Sequence, residues 1–142
     1  MIEIQSGTRI FNLSPYQRIP EPEAPSYDRI MVWVEFSVPV LTTAFEAEFA
    51  AGQLTQFRSD LLSLHQSLKT QTKHTDVVFS DLFNQISIKL HQSSVGNAVG
   101  VDLVLRPEGH ADSVTLSDFF GLDESYFPAI ISGLNEMINW PV

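Results

Sequence analysis

The chain contains no cysteine. That excludes disulfides, thiolate zinc sites and cysteine nucleophiles, and leaves stability to the core alone. Basic residues are scarce, 8 Lys and Arg against 17 Asp and Glu, so the net charge is −9. A field of that sign repels phosphate backbones and argues against nucleic-acid binding. It attracts a basic protein partner, although an acidic balance also serves solubility. No apolar run approaches the ~18 residues of a membrane span, and Met1–Ser6 carries an early acid, Glu3, with no apolar signal region. We therefore expect no membrane association and a cytoplasmic location.

Chemical motifs are missing as well. Val95–Gly100 has two glycines but not the context of a phosphate loop. There is no G-x-S-x-G elbow and no H-E-x-x-H helix. The four histidines, His65, His74, His91 and His110, fall on separate segments. The chain is expected not to be an enzyme, and no cofactor or metal is assigned.

What is present is a core-forming pattern. At 142 residues, 44% hydrophobic and rich in Phe (10), the chain suits a single domain spanning 1–142. Each buried Phe stabilises by roughly 1.5–3 kcal/mol. Ile30, Val32, Val34, Phe36 and Val38 alternate with Met31, Trp33, Glu35 and Ser37. Period two marks a strand with one buried face. Past Pro39, Leu41, Thr43, Phe45, Ala47 and Phe49 alternate with Thr42, Ala44, Glu46 and Glu48, which predicts an antiparallel partner strand. Further strands are expected at Ile2–Gln5, Thr8–Leu13, Val77–Phe79, Gln85–His91, Val99–Arg106 and Ser113–Phe119, with a turn at Ser93–Asn97.

Two helices complete the pattern. Leu54, Phe57, Leu61, Leu64 and Leu68 recur at spacings of three and four and draw an apolar stripe over about 53–69. A second stripe, Phe127, Ile130, Ile131, Leu134, Met137 and Ile138, predicts a helix over about 125–139. Ser125 is the expected N-cap, because an earlier start would place Pro128 where its missing N–H breaks a helical bond. Ser14–Asp28 holds four prolines and reads as a Pro-rich surface loop, 14–28. No internal repeat is visible. The fold class is α+β, a mainly antiparallel sheet of about six to eight strands with two amphipathic helices.

Function is expected on the sheet face opposite the core. Glu46 and Glu48 share that face, and Glu35 joins them from the neighbouring strand. Three carboxylates could bind a hard cation or act as an acid/base pair in a metal-dependent hydrolase. They also suit a solvated acidic surface. Trp33, beside Met31, makes an apolar centre among acids, the composition of a protein-binding patch for a basic partner. A covering second layer, such as the C-terminal helix, is the alternative. The candidate protein-binding set is Trp33, Glu35, Glu46, Glu48 and Asp102.

The order of pieces from Val32 onward resembles a known family. It runs through Gly52-Gln53-Leu54-x-x-Phe57-x-x-Asp60-Leu61-x-x-Leu64-x-x-x-Leu68, then Val77-Val78-Phe79, Ile86-Ser87-Ile88 and Gly100-Val101-Asp102-Leu103. It ends with Leu122-Asp123-x-Ser125-Tyr126-Phe127-Pro128. This is similar to the WapI-like family of small bacterial proteins, over roughly three quarters of the chain, with the Pro-rich segment outside the pattern. The resemblance implies an immunity protein that neutralises the toxic C-terminal domain of a contact-dependent toxin, a nuclease in the named case. A basic nuclease domain is thus the implied partner. A protein-interaction or regulatory module with another partner is the competing reading.

Overall fold

Alternating strands that bury one face need a second layer to bury it against, and here that layer is a second sheet with both helices. The computed structural model describes residues 1–94 and 97–142. The first sheet is an antiparallel meander of β1 (Ile2–Ser6), β2 (Arg9–Ile19), β3 (Arg29–Val38) and β4 (Leu41–Ala50). Helix α1 (Ala51–Thr70) follows, and a second meander repeats the order with β5 (Val77–Ser80), β6 (Ile86–Gln92), β7 (Ala98–Leu105) and β8 (Leu116–Asp123). Helix α2 (Phe127–Ile138) closes the chain. The expected α+β class, about six to eight antiparallel strands with two helices, is what forms, with eight strands split into two sheets of four rather than one sheet. The architecture is a ββββα unit used twice, a repeat that the residues themselves do not display.

The inner faces of both sheets and the stripes of both helices make one apolar cluster. Ile30, Val32, Val34 and Phe49 are fully buried in the first sheet, Ile86 in the second, and Leu54 and Leu134 in the helices. Phe79 of β5 stacks between Phe57 of α1 and Phe49 of β4, at centroid distances of 4.0 and 5.0 Å. A cavity of about 30 Å³ lies where Leu13, Leu61, Leu90, Val101 and Ile130 meet. It is wholly apolar and has room for about one water, so it belongs to the core rather than to a ligand.

Three expectations change. Ser14–Ile19 is strand, not loop, so the loop before β3 is shorter than 14–28. Pro15 is tolerated because β1 pairs only as far as Leu13, leaving β2 with a single neighbour beyond it. The register with β3 shifts between Pro15 and Gln17, which bulges Tyr16 outward. Second, the Asp123 side chain accepts from the Ser125 N–H (2.9 Å) and caps a 3-10 turn, Glu124–Tyr126. The α-helix proper begins at Phe127, with Pro128 in its first turn where no N–H is needed. Third, Leu41 is 42% exposed, so the buried face of β4 starts further along the strand, at Phe45.

The expected turn at Ser93–Asn97 includes Val95 and Gly96, which lie outside the described residues. The Ser93 N–H donates to the Ala98 carbonyl (3.0 Å), and β6 and β7 pair as expected. The sheets are tied across one corner by Arg9, whose guanidinium grips the Asp118 carboxylate (Nη2–Oδ1 3.0 Å) and lies 4.7 Å over the Phe120 ring. Arg18 ties down the chain end, donating to the carbonyls of Ile138 (2.6 Å) and Trp140 (3.2 Å) and to Asp28 (2.9 Å). Cations at a helix C-terminus are favoured by the unpaired carbonyls there.

Candidate protein-binding face

The question left by the residue pattern was whether a helix covers the Trp33 face. Both helical stripes belong to the common core, on the inner side of the sheets. Trp33 is 39% exposed, and Glu35, Ala44 and Glu46 are exposed too. The outer face of the first sheet is therefore open.

Its residues fall in cross-strand rows. Trp33 stands opposite Glu46 on one side and Ser14 on the other. Met31 is opposite Glu48, and Glu35 lies between Ala44 and Asn12, with Glu3 beyond Asn12. Directly opposed side chains sit about 5 Å apart and diagonal ones about 7–8 Å. Glu35 and Glu46 are thus diagonal neighbours rather than a chelating pair. Glu48 is engaged by Arg29 (Nη1–Oε2 3.2 Å), which offsets its charge. Among the described residues no three His, Asp or Glu side chains are grouped to hold a metal ion.

Tyr16 is the residue that the sequence reading missed. Bulged out of β2 and 44% exposed, it reaches the β4 carboxylates. Partial burial of its hydroxyl, then the charge and hydrogen bond of Glu46, and then Glu48, push its phenol above the ordinary value of 10.0. It stays protonated at neutral pH, with its hydroxyl in the field of Glu46. Tyr16, Met31 and Trp33 thus form an aromatic and thioether centre rimmed by Glu3, Glu35, Glu46 and Glu48. The only sign in the sequence was a tyrosine beside a proline in a segment taken for loop.

Asp102 is not part of this face. It sits on β7, facing Lys89 and Phe119 across the second sheet, with His91 Nδ1 at 3.9 Å. There the His91 ring lies over Gly100, where even an alanine Cβ would come within 2.7 Å of its Cε1, and stacks on Phe119 at 5.7 Å. The other histidines stay apart. His65 stacks on Phe127 (5.2 Å), and burial followed by the charge of Lys69 holds its pKa below 6.5. His74 bridges Ser63 and Thr75, and His110 lies beside Glu108. No helix of the described residues is long and apolar enough to cross a membrane.

Two solved plant structures share the architecture. WHY3 from Arabidopsis thaliana is similar at 12% identity and a TM-score of 0.52, over 97% of this chain and 88% of that one. WHY1 from the same plant is similar at 13% identity and a TM-score of 0.50, over 97% and 90%. At such identities the likeness is one of fold. No curated protein matches the sequence. The model of the immunity protein WapI-like family matches residues 1–141, which brings the Pro-rich segment inside the family pattern, and the chain belongs to that family.

Proposed function

We infer that this protein binds and neutralises the toxic domain of a cognate toxin, with the outer face of the first sheet as its contact surface, and does no chemistry of its own. Membership of an immunity-protein family along nearly the whole chain carries the reading. The open face supports it: an aromatic centre, Tyr16 and Trp33, among Glu35, Glu46 and Glu48, on a chain of net charge −9. Buried aromatics at an interface centre supply most of the affinity, while rim carboxylates steer and select a basic partner such as a nuclease domain. The same surface suits no phosphate-bearing ligand.

The test is co-expression with the C-terminal domain of the toxin encoded beside this gene. The pair should co-purify, cells should survive the domain, and association should slow as salt screens the carboxylates. Free domain and dead cells would refute the proposal.

A further inference from the structure

The outer face of the first sheet ends on an edge that the fold leaves bare. β4 is the last strand of its sheet, paired on one side by β3 and, among the described residues, by no strand on the other. Sheet edges template the addition of a further strand, and folds block them with prolines, lysines, bulges or covering segments. Two of the other three edges are short and partly occupied. β1 has five residues, and the Tyr126 hydroxyl donates to the Gln5 carbonyl (3.0 Å). β5 has four, with Ser80 O accepting from Gln53 Nε2 (3.3 Å). β8 is eight residues long, with the Asp118 side chain held by Arg9, and it lies in the second sheet, away from the acidic face of the first. From Leu41 to Ala47, β4 has no proline, no Lys or Arg, and no shift in its register with β3.

The direction of its free groups can be read from one contact. The Leu82 N–H donates to the Glu48 carbonyl (2.9 Å) from outside the sheet. Antiparallel strands alternate which residues face their partner, so Glu48, Glu46, Ala44 and Thr42 point their N–H and C=O groups away from β3. Leu82 occupies the Glu48 position, and Thr42, Ala44 and Glu46 remain open. The side chains of those residues stand on the outer face, with Glu46 and Glu48 two residues apart on it. A strand added here would lay alternate side chains beside these carboxylates, where Lys or Arg is favoured and a like charge is not.

We propose that the toxin domain docks by adding an extended strand with alternating Lys or Arg residues to the free edge of β4, as a fifth strand of the first sheet. The proposal rests on the toxin-binding reading above and gives it a geometry. A second copy of this chain is the weaker occupant, since each copy carries a net charge of −9.

Amide hydrogen exchange of the isotopically labelled protein, alone and with the toxin domain, tests it. Complex formation should slow exchange at Thr42, Ala44 and Glu46, while Thr43, Phe45 and Ala47, already bonded to β3, change little. Ala44→Pro removes one outward donor and no internal bond, so it should keep the fold and weaken binding about tenfold or more. A complex that forms without protecting those three amides overturns edge pairing and leaves toxin binding standing. No complex at all overturns both. Protection of the same amides in the protein alone, with a dimeric mass, assigns the edge to a second copy and also overturns the proposal.

Discussion

Asp81 is 4% exposed, and its carboxylate organises the link from β5 to β6. Oδ1 accepts from the backbone N–H of Gln85 (2.7 Å) and of Ile86 (2.9 Å), and the turn it closes presents Leu82 to the Glu48 carbonyl. Oδ2 is buried without a partner. Replacing Asp81 by Ala orphans two donors, one buried at Ile86 and one half-buried at Gln85. At about 1–3 kcal/mol for each orphaned group, the half-buried one at the low end, the cost should be about 2–4 kcal/mol. That corresponds to a melting point lower by about 10 °C. Asp81→Asn keeps Oδ1 and its two bonds and puts an amide where the unpartnered oxygen stood, so it should stay within about 1 kcal/mol of the parent at pH 7. Burial, outweighing the backbone donors, raises the Asp81 pKa above 3.8. Between 3.8 and that raised value the folded chain holds more protons than the unfolded one, so this group's contribution falls as pH rises and is flat above the window. Chemical denaturation of parent and Asp81→Asn across pH 3.5–8 isolates the effect as a difference curve, which should show Asn gaining on Asp as pH rises. If Asn is as damaging as Ala, or the difference runs the other way, the reasoning fails.

Asp28 should behave oppositely. The N–H of Glu21 first, and then Arg18, hold its carboxyl below 3.8 against some desolvation. Its stabilisation is therefore present above 3.8 and lost as pH falls through the lowered value, and Asp28→Asn should flatten that limb of an acid titration. Gly133→Ala should destabilise despite the better helix propensity of alanine, because its Cβ would meet the backbone of Met1 and Ile2 Cγ1 at 2.9 Å. A loss of about 1–3 kcal/mol in thermal or urea unfolding is expected, against a helical gain of about 1. Trp33→Ala and Glu46→Lys, both on the open face, should leave melting nearly unchanged. Titration calorimetry should show Trp33→Ala weakening toxin-domain binding by about 2 kcal/mol or more, and stopped flow should show Glu46→Lys slowing association most at low salt. Unchanged affinity for both would remove this face from the interface.

Period-two alternation made β3 and β4 legible almost to the residue, because one buried face imposes it on any strand. It tells that Ile30 and Val34 are buried but not what they are buried against, so two sheets read as one. The ββββα repeat was hidden for the same reason, since each half need only reproduce an apolar pattern. Proline chemistry misled at Ser14–Ile19. Four prolines do exclude a strand flanked on both sides, but β1 stops opposite Leu13, and Pro15 needs no donor toward a neighbour that is not there. That single misreading also hid Tyr16, because a tyrosine in a loop has no predictable face while one at a bulge does. Asp102 shows a different limit: its outward direction was readable, its sheet was not. The open β4 edge, by contrast, was implicit in the sequence once strand order was known, for Leu41–Ala47 lacks each device that would have blocked it. A fold that leaves the β4 edge bare, among the described residues, beside its acidic, aromatic face has concentrated both backbone and side-chain recognition on one strand. Losing side-chain recognition should therefore weaken a partner's grip without abolishing it, and blocking β4 should add to the loss that Trp33→Ala causes.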